Sequence, residues 1–169
     1  REPIDPVRFL GNKSSGRQGL AIAAAAARSG ATVRLIAANI DDSVMTLLPP
    51  SVEVTRVGSA LDMREATMAQ VVGADALVMT AAVADFRTQS AQASKMKKDP
   101  TTSDAPTLRL VRNPDILSEV GHGPHRPPLV IGFAAETGTD EEILAYGADK
   151  AARKGADYIA LNRVGAGVG

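Results

Sequence analysis

The 169-residue chain contains no cysteine. That excludes disulfides, thiolate metal sites and a cysteine nucleophile, and it suits a reducing cytoplasm. Aromatic residues make up only 3%, too few for the stacked platforms that hold single-stranded nucleic acid. Charge of one sign is not in excess either, because 19 basic side chains cancel 19 acidic ones. A general nucleic-acid binder carries a basic surplus. No apolar run approaches the roughly 20 residues of a membrane-spanning helix, and the opening "REPIDPVRFL" does not read as a signal peptide. What is present is an ordinary globular composition, 44% hydrophobic and 22% charged. It is long enough for one domain with a sizeable core.

Strand and helix patterns alternate along the chain. Val7–Leu10 reads as a first strand ended by Gly11, and Gly16–Ser29 as an alanine-rich helix that Gly30 stops. Thr32–Ala38 and Ala76–Thr80 read as buried strands and Val52–Val57 as a further β-branched run, with a helix over Asp62–Val72. Thr107–Asn113 alternates as a strand does, and a short helix follows with Pro114 near its first turn. Leu129–Thr137 is a further strand, Asp140–Lys154 a helix stopped by Gly155, and Asp157–Val164 a last strand. This order predicts an α/β, Rossmann-like three-layer sandwich with a mostly parallel central sheet and helices on both faces. Residues 1–169 read as a single nucleotide-binding domain. Thr88–Pro106 is polar, bears Lys95, Lys97 and Lys98, and reads as a long mobile loop.

The chemistry concentrates in "GNKSSGRQG", Gly11–Gly19. A strand, a glycine-rich turn and a helix aim main-chain N–H groups and the positive end of the helix at one spot, where phosphate binds. Gly11 and Gly16 match the Walker spacing, but Arg17-Gln18 replace its Lys-Ser/Thr. Gly16 and Gly19 supply the end of G-x-G-x-x-G, but Ser14 stands at its first glycine. Ala37-Ala38-Asn39 also replaces the acid that reads a dinucleotide's ribose. The turn offers Ser14 and Ser15 hydroxyls, with Ser15 placed to cap the helix, the Asn12 amide, and the charges of Lys13 and Arg17. It reads as a mononucleotide-phosphate site.

"DPVRFLGNKSSGRQG", "TAAVADFR", "KMKK", "RNPDIL" and "GFAAET" together resemble the motifs of phosphopantothenoylcysteine synthetase. The resemblance is to the bacterial CTP-dependent form, usually the C-terminal half of a bifunctional coenzyme A biosynthesis protein. It implies that CTP activates 4′-phosphopantothenate as an acyl-cytidylate, which cysteine then converts with release of CMP. It implies that Asn12 serves the intermediate, that Lys95 helps to form it, and that Arg8 is the family's arginine upstream of the turn. Gly11, Ser14, Ser15, Gly16 and Gly19 match the turn at the phosphates. Ala81, Ala82, Asp85, Phe86 and Phe133 fall in the family's nucleotide-site segments, and Asn113, Pro114, Asp115 and Ile116 border the nucleotide. Magnesium accompanies CTP, with Asp85 or Asp115 as its candidate ligand. The resemblance further implies a cytoplasmic homodimer, a flavin-dependent decarboxylase fused ahead of this domain, and a tail of some tens of residues beyond "GAGVG". No nucleic-acid or membrane partner is expected.

A carboxylate that attacks a triphosphate meets like charge, so cations and positioning matter more than proton transfer. Two rival readings stay open on the residues alone. Tyr146 and Lys150 have the Tyr-x-x-x-Lys spacing of an NAD(P)-dependent short-chain reductase, although i and i+4 are neighbours on any helix. A non-catalytic nucleotide-binding module is the other. His122 and His125 read as residues of a solvated Pro/Gly loop.

Overall fold

A computed structural model describes residues 1–97, Thr101 and 105–165. The chain opens with a hairpin in which β1 (Glu2–Asp5) pairs antiparallel with β2 (Arg8–Leu10). Of the expected strand Val7–Leu10, Val7 therefore lies in the hairpin turn and Arg8–Leu10 is the second arm. Its partner is the segment just before it, which Pro3 and Pro6 disguise as a loop.

After the glycine turn comes α1 (Arg17–Arg28), which buries Leu20, Ala23 and Ala24. Its end is the one the sequence promised. Gly30 sits at φ 91, its N–H reaches Ala27 O at 3.0 Å, and the N–H of Ala31 reaches Ala26 O at 3.1 Å. The start differs from expectation. Gly16, at φ 73, is the N-cap and no side chain caps the helix; Ser15 Oγ meets only the N–H of Arg17, at 3.5 Å.

β3 (Arg34–Ala38) and β4 (Glu53–Val57) pair in parallel, with Arg34 opposite Glu53 and Ala38 opposite Val57. Between them lies α2 (Asp42–Met45), a single turn capped by Asp41 and too short to leave a periodic signal. α3 (Ala60–Gln70) starts two residues before the pattern suggested, because Ser59 and Asp62 form a reciprocal capping box. β5 (Ala76–Met79), β8 (Leu129–Glu136) and β9 (Tyr158–Arg163) make a parallel trio in that order. An apolar slot of about 840 Å³ is lined by β3 and β5 together with Ile22 and Ala23 of α1.

Two further elements deliver the trio. α4 (Ile116–Gly121) is capped by Asp115, and α5 (Asp140–Lys154) runs between a Thr139/Glu142 capping box and Gly155 at φ 61. Helices lie on both faces of the trio. A Cβ on Gly147 of α5 would stand 2.6 Å from Leu161 Cδ1. The next residue of β9, Asn162, points the other way and its Nδ2 lies 3.4 Å from Gln18 Oε1 on α1. Leu20, Ile116 and Val130 are almost wholly buried, each contributing roughly 1.5–3 kcal/mol.

β6 (Phe86–Thr88) and β7 (Leu110–Arg112) form a second antiparallel ribbon. Thr88 is thus the last residue of a strand, not the first of a loop, and only the end of Thr107–Asn113 is paired. The segment after β6 is fastened to β1. Thr88 Oγ1 donates to Pro3 O at 2.7 Å, and the N–H of Gln92 donates to Ile4 O at 2.8 Å. Lys98 lies outside the described residues, as does the end of "GAGVG".

Candidate functional site

A cleft of about 590 Å³ opens where β3 and β5 end and α1 begins, the usual place for a ligand in an open α/β sheet. Its walls bring together the whole turn Gly11–Gly19, the segment Thr80–Ala84 after β5, and Ser59-Ala60 at the start of α3. Of the residues named from sequence, Gly11, Asn12, Ser14, Ser15, Gly16, Gly19, Ala81 and Ala82 all line it.

The turn is built for close approach. A Cβ on Gly16 would stand 2.6 Å from Ile40 Cδ1, and one on Gly19 would stand 2.6 Å from Thr80 Oγ1. Both positions therefore need glycine, the first also for its positive φ. With a glycine N-cap and no acid in its first turn, α1 leaves its positive end without a neutralising side chain. Arg17, Lys13 and Arg1 stand around the same cleft. The arrangement favours a multiply charged anion. Asn12 Nδ2 donates to Val83 O at 3.1 Å, so the amide bridges the turn to the far wall.

The hairpin is locked to this cleft by residues that the sequence did not advertise. Glu2 is only 2% exposed, and its Oε1 accepts from the N–H of Ala60 at 2.8 Å. A carboxylate is well matched to a helix start. The main-chain nitrogen of Arg1 donates to Gly58 O at 3.0 Å, while its guanidinium covers Phe9 at 4.6 Å. Asn39 takes φ 53 at the end of β3 and donates from Nδ2 to Gly58 O at 2.7 Å. Only a polar residue at a strand end hinted at it.

The remaining candidates lie outside the cleft walls. Arg8 and the segment that carries Lys95 meet outside the cleft. Arg8 Nη2 donates to Met96 O at 2.7 Å, and Lys95 is exposed. Asp85 and Phe86 are exposed, Phe133 is half-buried in the middle of β8, and Ile116 is 2% exposed. Asn113, just ahead of Pro114, splices the segments together. Its N–H reaches Asp85 O and its Nδ2 reaches Ala84 O, both at 2.8 Å. Asp115 is committed elsewhere: Oδ1 caps α4 through the N–H of Ser118 at 3.1 Å, and Oδ2 pairs with Lys154. Burial would raise its carboxyl, but the Lys154 hydrogen bond, the Ser118 N–H and the nearby Lys154 and Arg153 charges hold it below the usual range.

Tyr146 and Lys150 face each other on α5, with Lys150 3.7 Å from Glu136 and 5.5 Å from the Tyr146 ring, away from the cleft. His122 Nε2 meets Arg153 O at 3.1 Å, so that ring nitrogen serves a helix end. Among the described residues no three acids or histidines gather as a metal cage, and no helix is long and apolar enough to cross a membrane.

Residues 1–169 match the family model described as the DNA/pantothenate metabolism flavoprotein C-terminal domain. The chain is 45% identical over 174 residues to the coenzyme A biosynthesis bifunctional protein CoaBC of Mycobacterium tuberculosis strain H37Rv, a match covering 99% of this chain and 40% of that protein. With the same-named protein of Escherichia coli K12 it shares 44% identity over 164 residues, covering 97% of the chain and 39% of the relative. The chain thus spans about two-fifths of these relatives. Among solved structures, the C-terminal domain of a CoaBC protein superposes with a TM-score of 0.76 at 35% identity, covering 96% of this chain and 71% of that one. A DNA/pantothenate metabolism flavoprotein from Streptococcus pneumoniae superposes with a TM-score of 0.79 at 20% identity, a likeness of fold.

Proposed function

From the premise that the chain belongs to the DNA/pantothenate metabolism flavoprotein C-terminal domain family, we propose that it is a phosphopantothenate–cysteine ligase of coenzyme A biosynthesis. In this reading CTP is the activating co-substrate. A carboxylate oxygen of 4′-phosphopantothenate attacks the α-phosphorus, pyrophosphate leaves, and an acyl-cytidylate forms. The cysteine amine then attacks the acyl carbon, loses a proton, and CMP departs.

One observation carries the reading: the uncapped N-terminus of α1 and the bridging amide of Asn12 line the same cleft. The N–H groups of the turn, with Lys13 and Arg17, hold the phosphates. They lower the repulsion between two anions that must meet. Asn12 already donates one amide hydrogen to Val83 O. Its oxygen and remaining hydrogen then serve the intermediate, accepting from the incoming amine or donating to an acyl or phosphoryl oxygen. Lys95 supplies charge toward the leaving pyrophosphate from the adjacent segment. Ala81 and Ala82 form the wall beside the nucleotide, and the Asn113–Ile116 segment holds Asp85 and Phe86 behind it through Asn113.

Magnesium belongs to this proposal as a companion of the triphosphate. The residues fit that limited role only. Asp85 is exposed and offers one carboxylate, whereas the oxygens of Asp115 are occupied by Ser118 and Lys154. Bound there, the ion would neutralise phosphate charge. A homodimer is part of the same reading, supported by the exposed apolar side chains Phe9, Phe86 and Leu110 on the two antiparallel ribbons.

The test is an assay of pyrophosphate and CMP released from CTP, with 4′-phosphopantothenate and cysteine each added or withheld. Formation that needs phosphopantothenate, and CMP release that needs cysteine, support the proposal. CTP binding with no turnover would replace it with a nucleotide-binding module. Protection against thermal unfolding by NADPH and not CTP would replace it with a reductase.

A further inference from the structure

Asp5 does more than its turn requires. Its side chain is fully buried. One oxygen, Oδ1, accepts from the N–H groups of Val7 and Arg8, both at 2.9 Å, which is enough to close the hairpin turn. The other oxygen, Oδ2, accepts from the N–H of Met96 at 3.1 Å, 91 residues along the chain. It also stands 3.5 Å from Arg8 Nε. Arg8 Nη2 then donates to Met96 O at 2.7 Å. Two adjoining side chains of one hairpin thus take both the donor and the acceptor of a single main-chain residue. That residue lies between Lys95 and Lys97, both exposed.

The pinning is the last in a series. Pro3 O, Ile4 O and Asp5 Oδ2 hold, in order, Thr88 Oγ1, the N–H of Gln92 and the N–H of Met96. Pro3, Ile4 and Asp5 of β1 thus hold successive points from the end of β6 onward. Thr88 and Gln92 are held by main-chain oxygens. Met96 alone is held by an ion pair, whose charge-assisted bonds are the stronger kind.

We infer that Asp5 is a positioning residue for Lys95, acting with Arg8 through the main chain of Met96 to fix where that lysine's charge is presented. The inference rests on the proposed ligase reading, in which Lys95 faces the triphosphate. It assigns Asp5 no contact with substrate. Its role is to keep the lysine from sampling many positions on a long segment, so that the charge is in place before the reaction begins.

The experiment uses the full chain with Asp5→Asn, Met96→Pro, Lys95→Gln and the double variant Asp5→Asn/Lys95→Gln. Asparagine keeps Oδ1 for the turn but turns an NH2 toward the N–H of Met96. Proline removes that N–H and leaves the turn untouched. Limited trypsin digestion after Lys97, a bond that both clip variants keep, reads the clip independently of chemistry, and both should be cut there several-fold faster while remaining folded. Phosphopantothenate-dependent pyrophosphate release should fall about 10- to 100-fold in each, with CTP affinity retained. The double variant should be no slower than Lys95→Gln alone, because the two changes remove one effect. Fully additive losses, unchanged trypsin sensitivity, or unfolding of both clip variants would overturn the inference. If Lys95→Gln releases pyrophosphate normally, the ligase reading of that lysine fails instead, while the digestion still decides whether the clip exists.

Discussion

Gly19 of α1 lies so close to Thr80, just past the end of β5, that a Cβ on the glycine would come within 2.6 Å of the threonine Oγ1. This contact sets how near the start of α1 comes to the far wall of the cleft. Gly19→Ala forces the helix away or turns the threonine, at a cost of about 1–3 kcal/mol for overpacking. Thr80→Ala in the same chain removes the obstructing oxygen. Thermal unfolding should show the single variant destabilised and the pair largely restored. CTP binding, measured by calorimetry, should follow the same order.

Gly16 is constrained twice, by φ 73 and by Ile40 Cδ1 at 2.6 Å from a built Cβ. Gly16→Ala should lower stability by about 1–3 kcal/mol from backbone strain alone. Because this residue aims the first N–H groups of α1, the loss of CTP affinity should exceed that of Gly30→Ala. Gly30 also has a positive φ, but a Cβ there meets nothing within 4 Å. Equal losses of affinity would mean that the turn does not hold the phosphates.

Asn12→Asp replaces an amide that donates to Val83 O with a carboxylate facing a carbonyl oxygen. Cysteine-dependent release of CMP should drop more than pyrophosphate release does. Quenched-flow measurement of the two half-reactions checks this, and an equal fall in both would remove Asn12 from the second step.

Lys95→Gln should suppress the first half-reaction. Steady-state pyrophosphate release from CTP should fall by at least 10-fold, a typical loss for one charge aimed at a transferring phosphoryl group. Unchanged release would take the lysine out of the site.

Acid should unfold the protein through carboxylates tied to main-chain N–H groups. Asp62 is lowered by the Ser59 N–H and hydroxyl, Asp157 by the Val130 N–H and then Arg126, and Glu142 by the Thr139 N–H and hydroxyl. Each has a folded value below its ordinary one, so the unfolded chain binds more protons as acid is added. Their stabilisation is complete above the ordinary values of 3.8 for Asp and 4.5 for Glu. It is lost as pH falls below those values and through the depressed folded ones. Melting temperature should be flat near neutrality and fall steeply below about pH 4.5. Asp62→Asn with Asp157→Asn should flatten the acid limb.

Local signals were readable where a residue acts on its own neighbours. α5 runs from Asp140 to Lys154 and stops at Gly155, as its pattern and C-terminal glycine indicate. α1 closes at Gly30 for the same reason. The glycine turn and Asn12 were visible because their spacing is a local property of a strand–turn–helix joint. β1 and β6 were not visible. A strand of three or four residues interrupted by proline, or paired with one more than twenty residues away, leaves no periodic trace. The cap of α1 falls at Gly16 in place of Ser15, at a positive φ and where a Cβ would strike Ile40, a tertiary constraint that the local pattern does not carry.

The sequence by itself determined the alternation of strands and helices, where most helices stop, and the glycine-rich strand–turn–helix joint, since each depends on contacts within a few residues. Only the tertiary structure decided that Glu2 would meet Ala60, that Asp5 and Arg8 would hold Met96, and that Asn12 would reach Val83. Those partners are 58 to 91 residues apart. Nothing in a chain's local pattern encodes which distant main-chain groups the packed sheet will bring within hydrogen-bonding distance.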